Sequence, residues 1–255
     1  MKYYFVVNSL PPLSLGTPPP ISYEEVRAML AMNLSKGDLE KVELLQRLVD
    51  IRNIRALWLG RPLDPRGNFG EKDLEEALLV RDQFPAFVGD FLDRYESVED
   101  RLRYFSSLYT SLYAESQEEL KGFLKNYFRI EREIRLCLVA LRAKEADRDL
   151  AYELQFEDPT DPLVALLLAQ KESGDLILPQ EYEDLKTAFL ENSSDPKKLY
   201  RAILEFRLAR IDELENLQPF SMDQILGYLA RLAIVEDWAG LDDDRGRSAL
   251  EQVCR

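Results

Sequence analysis

The chain opens with Lys2-Tyr-Tyr-Phe-Val-Val-Asn-Ser-Leu-Pro-Pro-Leu13, and Pro18-Pro-Pro-Ile-Ser-Tyr-Glu-Glu25 follows shortly after. The residues from Tyr3 to Val7 are aromatic or β-branched, and these types are enriched in strands. The prolines that follow cannot continue a helix, because each lacks an N–H and fixes φ. We therefore predict one short, buried extended segment at the N-terminus. Ser22 and Glu25 have the spacing of a capping box, which predicts that the first helix begins there.

Helix signals dominate the rest of the chain. Apolar residues recur at helical spacing over stretches such as 39–59 and 115–152, and turn-rich segments such as Gly60-Arg-Pro62 separate them. The pattern predicts an all-α fold of about ten helices. We predict a single domain over residues 1–255. The segment Glu157-Asp-Pro-Thr-Asp-Pro162 is its clearest break and its candidate sub-boundary.

The 255 residues include no histidine. Histidine is the usual general base near neutral pH and the commonest zinc ligand. Its absence excludes Ser-His-Asp, Cys-His and HExxH sites. No pair of carboxylates has a spacing specific enough for a general acid and base. We therefore predict a protein that is not an enzyme and that holds no metal and no cofactor.

A carboxylate-only enzyme is the alternative that the composition leaves open. Asp242-Asp-Asp244 could bind Mg²⁺ as in aspartate-rich helical synthases, but such a site needs a second acidic cluster facing the first. Consecutive aspartates before a helix are more often caps that interact with the helix dipole. We favour the cap.

Charge and hydropathy restrict the partners. The chain has 47 acidic and 33 basic residues, a net charge of −14. This balance opposes binding to the phosphates of nucleic acid and to an anionic membrane surface. Its longest apolar run, from Leu163 to Ala169, is far shorter than the roughly 20 residues of a membrane helix, and the N-terminus lacks a signal-peptide pattern. We predict a cytoplasmic protein without direct lipid insertion, in which Cys137 and Cys254 are free thiols.

Two groups of residues are candidates for partner binding. The loop of Leu10, Pro11, Pro12 and Leu13 combines apolar side chains with a stiff backbone; it either covers the core or offers a partner a pre-organised surface. Asp50 and Asn53 lie one helical turn apart. They either contact a partner or form a buried hydrogen-bonded pair that fixes a helix crossing, and we favour the buried pair.

Two helical segments repeat within the chain. Residues 51–59 align with residues 131–139, and three positions are identical: Arg52 with Arg132, Ile54 with Ile134 and Arg55 with Arg135. A third long helix, Ile225 to Trp238, can take the same place, although its residues match poorly. The spacing is longer than that of the common solenoid repeats.

The opening sequence is similar to that of a bacterial family encoded beside V-type ATPase genes, whose members resemble the C subunit of the ATPase central stalk. Asp50-Ile-Arg-Asn-Ile54, followed by Gly60-Arg61, resembles the acid-x-x-Asn-apolar motif of that family. The segment from Ile225 to Trp238 is similar to the closing helix of that family, which has a tyrosine followed by acidic residues. On these residues the chain is identified as a short relative of the V-type ATPase C subunit.

This resemblance implies a fold and a function. The fold is three similar helical wedges around a pseudo-three-fold axis. The function is that of a non-catalytic central-stalk component, which links the rotor axle (the D and F subunits) to the membrane c-ring and so serves rotary ion transport. The protein would then be peripheral to the inner membrane through protein contacts. The alternative is a free-standing helical adaptor that binds other proteins.

Overall fold

A computed structural model describes residues 3–81, 83–214 and 219–241, and these ranges contain thirteen α-helices and one 3-10 turn, with no strand. The all-α fold class is therefore confirmed. The helices are α1 (Tyr4–Ser9), α2 (Tyr23–Asn33), α3 (Lys36–Trp58), α4 (Glu71–Val80), α5 (Ala86–Arg94), α6 (Val98–Arg103), α7 (Ser106–Glu119), α8 (Gly122–Glu145), α9 (Leu150–Glu153), α10 (Pro162–Ala169), α11 (Glu183–Asn192), α12 (Pro196–Leu214) and α13 (Met222–Ala239); the 3-10 turn is Gln180–Tyr182.

The predicted N-terminal extended segment is wrong, because Tyr4–Ser9 is the helix α1. Val6 is buried in the core, whereas Tyr4 and Phe5 are more than half exposed. This one-sided burial suits a helical turn, and tertiary contacts override the weak strand preference of these residues. The extended backbone begins only at Leu10, where the prolines stop the helix.

The helices outnumber the predicted ten because several predicted stretches break. The stretch 115–152 is interrupted at Leu120 and Lys121, and α8 begins at Gly122, whose φ is +59°. A glycine adopts this left-handed conformation at little cost. The predicted capping box is confirmed: the Ser22 Oγ accepts from the Glu25 N–H at 3.2 Å, and the Glu25 carboxylate accepts from the Ser22 N–H at 2.8 Å.

The buried side chains form two apolar clusters that share two helices, α8 and α12. The first cluster takes in α2, α3, α7, α13 and the start of α8, and the second takes in the rest of α8 with α10, α11 and part of α12. The segment 157–162 does not separate them, since Leu154 before it and Val164 after it belong to the second cluster. The single domain stays a prediction, and the shared α8 favours it.

Three long helices meet at the centre of the molecule. Each of α3, α8 and α13 packs against the other two. These helices contain the two aligned segments and the third segment that the sequence pattern singled out. The pseudo-three-fold arrangement of wedges stays a prediction.

Candidate functional site

A cavity of about 500 Å³ lies between α3, α7, α8, α12 and α13, and we call it the central cavity. Its polar lining is dominated by two residue types. The arginines are Arg52, Arg66, Arg135, Arg142 and Arg207, and the tyrosines are Tyr23, Tyr109, Tyr113, Tyr127 and Tyr200. The acidic residues in the lining are Glu131 and Asp237. The cavity lining is therefore basic, although the chain as a whole is strongly acidic.

One face of α8 supplies much of this lining. Tyr127, Glu131, Arg135, Leu138 and Arg142 follow each other at three- or four-residue steps, and such a spacing places side chains in one row along a helix. Burial raises the pKa of Tyr113 and Tyr127 above the ordinary value, so their hydroxyl groups stay protonated. The α8 row and Tyr113 of α7 therefore present neutral hydroxyls, apolar side chains and cationic guanidinium groups to the same space.

Arg207 of α12 is held by Glu131 of α8. Its Nη2 lies 2.8 Å from both carboxylate oxygens, and its Nε lies 3.0 Å from Oε1. Burial opposes the charge of Arg207, but the Glu131 carboxylate outweighs this effect and raises the pKa of Arg207 above its ordinary value. This bidentate pair is geometrically specific and joins the two helices across the cavity wall.

Arg66 joins the loop of residues 64–68 to α13. Its guanidinium donates to the Asp64 carboxylate at 2.7 and 2.8 Å, to the Ala233 carbonyl at 2.7 Å and to Asp237 through a short contact. Glu236 lies 3.6 Å away and accepts from the Tyr23 N–H at 2.6 Å. Arg66 thus connects the loop to α13, and Glu236 extends this network to the start of α2.

Asp50 and Asn53 are 3% and 2% exposed, and both bind the same loop. The Asp50 carboxylate accepts from the backbone N–H and the side-chain amide of Asn68 at 2.7 and 2.6 Å. The Asn53 amide donates to the Asp64 carbonyl at 2.9 Å and accepts from the Asp64 N–H at 2.8 Å. Both residues are therefore buried and hydrogen-bonded, but their partners are Asn68 and Asp64, so they hold this loop rather than fix a helix crossing as a pair. Direct contact with a partner stays a prediction.

The loop approaches Asp50 and Asn53 so closely that one position has room only for glycine. A Cβ atom on Gly67 would lie 2.7 Å from the Asp50 Oδ1 and 2.8 Å from the Asn53 Nδ2. Both distances are well inside van der Waals contact. Gly67 is therefore part of the arrangement that fixes the loop.

The titration of Asp50 gives a testable prediction. Burial raises its pKa from the ordinary 3.8 to about 6, against the opposing hydrogen bonds from Asn68. A raised pKa means that the fold favours the protonated carboxyl, so this contribution to stability is complete below about pH 4 and is lost as the pH rises through 6. Between pH 4 and 7 we expect the free energy of unfolding of the wild type to fall by up to about 3 kcal/mol relative to that of Asp50→Asn. Urea titrations across this range measure the difference, and parallel curves would contradict the assignment.

The aligned arginines have related contacts. Arg52 of α3 reaches Asp64 at 3.7 Å, and its counterpart Arg132 of α8 reaches Glu157 at 3.0 Å and Asp161 at 2.9 Å. In both cases an arginine contacts an acidic residue in a segment that follows its own helix. This shared role is a physical reason for the repeat that the sequence pattern indicated.

Leu10, Pro11, Pro12 and Leu13 line a second cavity, which we call the N-terminal groove. Its volume is about 410 Å³, and α12 and α13 form its other walls. Leu10 and Leu13 are half-buried and pack against the first cluster, so the loop does cover the core. Its contact with a partner stays a prediction. The buried Tyr228 hydroxyl in this groove has no hydrogen-bond partner among the described residues, and burial raises the pKa of Tyr228 to about 12.

Residues 3–81, 83–214 and 219–241 contain no cluster of potential metal ligands. Over the same ranges, no helix is both long enough and apolar enough to cross a membrane. Cys137 is a buried free thiol, as predicted. Asp242, Asp243, Asp244 and Cys254 lie outside the described residues.

Sequence reasoning singled out Asp50, Asn53 and the N-terminal loop, but it missed the arginines of the central cavity. The resemblance to the V-type ATPase C subunit, whose motif runs into an arginine-bearing turn, predicts Arg61 as the arginine of that turn. In the structure Arg61 is exposed, and Arg66 forms the network with α13. The available signal was the row of one tyrosine and two arginines on α8, but a row on one helix can be recognised as a cavity lining only when the surrounding helices are placed.

Fold and site together define a class: an all-helical protein whose three long central helices border a basic cavity. The chain belongs to the family described as "Protein of unknown function (DUF2764)", whose model matches residues 1–255. It is similar to uncharacterized proteins of Chlamydia trachomatis (28% identical over 246 residues, 93% of this chain and 92% of the relative) and Chlamydia pneumoniae (32% identical over 262 residues, 99% and 97%). No solved structure matches.

The identification with the family of the V-type ATPase C subunit is therefore wrong. The family model that covers the whole chain is a different one, and the similar proteins are not described as ATPase components. The resemblance depended on short motifs on α3 and α13. In this fold the α3 motif anchors a loop and the α13 segment packs into the core. Many helical proteins need such roles, so these motifs do not identify a family.

Proposed function

We propose that this protein is a non-catalytic component that joins other proteins, and that it acts in the central stalk of a V-type ATPase. There it would link the rotor axle, made of the D and F subunits, to the membrane c-ring. Its location would be cytoplasmic and peripheral to the inner membrane through these protein contacts. The observation that supports a joining role is the central cavity, because mutually packed helices border a concave surface that is chemically unlike the rest of the chain.

Ion pairs and hydrogen bonds between the helices also support a mechanical role. A part that transmits torque must keep its shape under load, and a core packed at crystal-like density resists deformation. Arg66 connects the loop 64–68 to α13, and the Arg207–Glu131 pair connects α12 to α8. Glu157 accepts from Arg132, Arg135 and Thr110 together. Such networks fix the relative positions of helices, which is what a coupling component requires.

A free-standing adaptor is the second candidate. The N-terminal groove favours it, because the groove is a second concave surface and its prolines make one wall stiff. The buried Tyr228 hydroxyl in this groove also has no hydrogen-bond partner among the described residues. An adaptor would bind its partners without the ATPase. The same cavities would then serve proteins that are not part of a rotary machine.

Co-purification from native cells tests the proposal. We expect the tagged protein, expressed at its natural level and extracted with mild detergent, to retain the D and F subunits and the c-ring in stoichiometric amounts. An unrelated acidic protein with the same tag is the control. Recovery of the intact ATPase in the same extract without the tagged protein would contradict the stalk assignment. Stoichiometric recovery of other proteins instead would support the adaptor.

A further inference from the structure

We infer that the central cavity binds an acidic segment of a partner protein, in which carboxylates stand next to apolar side chains, and that Arg52 and Arg142 are its main contacts. This inference rests on the proposed joining function, because it takes the occupant to be a protein. It goes further by assigning the chemistry of the segment and the residues that receive it.

The charge of the central cavity is opposite in sign to that of the whole chain. The chain carries −14 overall, yet the lining of the central cavity has five arginines against two acidic residues. A concave surface with one sign of charge concentrates ligands of the opposite sign. An acidic partner would be repelled by most of this protein and attracted to this cavity, so charge selects the docking position.

The pairing of the arginines shows which of them are available. Arg207 is bound to Glu131, Arg66 to Asp64 and Asp237, and Arg135 to Glu157. These pairs have structural roles and leave little charge for a ligand. Their carboxylates also explain why the cavity tolerates so many arginines.

Arg52 and Arg142 differ from the paired arginines. The Arg52 side chain is 46% exposed, and its contact is a 3.7 Å approach to Asp64, which Arg66 already binds at 2.7 Å. Arg142 is exposed, and it forms no salt bridge within the ranges that the structure describes. A guanidinium binds a carboxylate in a bidentate fork. These two side chains therefore have the capacity to bind carboxylates from outside.

The remaining lining favours a peptide over a polyphosphate. Leu138, Val139 and Ile203 stand beside the arginines and supply apolar wall, which a phosphate chain would not use. Phosphate sites typically use free N–H groups at a helix N-terminus. At the N-terminus of α2 the Tyr23 N–H already donates to the Glu236 carboxylate at 2.6 Å. An acidic segment with apolar side chains matches both halves of the lining.

Two synthetic helical peptides test this inference. One has a Leu-rich face flanked by glutamates, and in the other every glutamate is replaced by glutamine. We expect the glutamate peptide to bind the full-length protein at least about tenfold more tightly than its analogue, and its affinity to fall with salt. Fluorescence anisotropy measures both. Equal binding of the two peptides, or binding of ATP at the cavity with no binding of the glutamate peptide, would overturn the inference.

Charge reversal within the chain is the matched test. We expect the double variant Arg52→Glu with Arg142→Glu to lose at least about tenfold in affinity for the glutamate peptide. The double variant Arg61→Glu with Arg148→Glu is the control, since it makes the same change in net charge at two exposed residues outside the cavity. Unchanged binding by the cavity variant, or an equal loss in the control, would overturn the assignment. Arg52→Gln with Arg142→Gln, checked by thermal unfolding, separates charge loss from misfolding.

The two proposals fail separately. If the wild type retains the D and F subunits but binds neither peptide, the acidic-segment inference is wrong and the stalk function stands. If it binds the glutamate peptide but retains no part of the ATPase, the stalk assignment is wrong and the chemistry of the cavity stands.

Discussion

Replacing Gly67 by alanine is expected to destabilise the protein by about 2–4 kcal/mol. The new Cβ would meet the Asp50 Oδ1 at 2.7 Å and the Asn53 Nδ2 at 2.8 Å. Both atoms are buried and hydrogen-bonded to the loop 64–68, so neither can move away without leaving polar groups unsatisfied. Urea unfolding followed by circular dichroism measures the change.

Gly37→Ala is the matched control for this prediction. A Cβ at Gly37 would meet nothing within 4 Å, and the residue lies in the first turn of α3. Alanine is the better helix former, so the control is expected to be neutral or to stabilise by up to about 1 kcal/mol. If Gly67→Ala were as harmless as the control, the loop would not be held as tightly as its hydrogen bonds indicate.

Replacing Arg66 by methionine is expected to cost about 2–4 kcal/mol of the free energy of unfolding. Methionine keeps most of the side-chain length but removes the donors to Asp64, Asp237 and the Ala233 carbonyl. Asp64 and Asp237 would then be left as neighbouring acidic groups near Glu236. The side chain of Arg66 is only 13% exposed, so water screens these pairs little and the carboxylates that lose their partner are costly to leave unpaired. Urea unfolding of the variant and the wild type measures the loss.

The control for Arg66 is an exposed ion pair. Arg148 contacts Glu153 at 2.7 Å, and half of the Arg148 side chain is exposed. Arg148→Met is expected to cost less than about 1 kcal/mol, because water screens such pairs. Similar losses for the two substitutions would show that Arg66 contributes no more to the free energy of unfolding than a surface ion pair does. The link between the loop and α13 would then not be a major source of stability.

Both substitutions act on the same link. The loop 64–68 is bound on one side by Asp50 and Asn53 of α3 and on the other, through Arg66, by α13. Two of the three central helices are thus connected through a loop of a few residues. Because neighbouring interactions are not additive, we expect the double variant to lose less than the sum of the single losses.

Local sequence signals were reliable where the interactions are local. Ser22 and Glu25 predicted the start of α2, and Asp161 caps α10 with bonds to the N–H groups of Leu163 and Val164. The Asp50 and Asn53 spacing also identified two residues that hold a structural element. The N-terminal segment failed, because its strand preference is worth little against the burial of Val6 in a helical turn.

The central cavity was not predictable from the chain read alone. Its arginines come from α3, the loop 64–68, α8 and α12, and no single short motif contains all of them, although Arg52 and Arg135 lie in the repeated segments. The short motifs that suggested the ATPase C subunit were misleading because each lies within one short stretch of the chain. They are compact enough to be recognised in sequence, but loop anchoring and core packing recur in unrelated helical folds.

The sequence by itself determined the all-α class, the caps and turns, and the absence of histidine from the 255 residues. These features depend on the backbone preferences and chemistry of residues that are close together along the chain. Only the tertiary structure decided which arginine binds the loop, which pairs neutralise the cavity and which side chains remain available in it. Those properties depend on distances between residues that are far apart in sequence, such as Arg66 and Asp237 at 171 positions, and packing alone sets such distances.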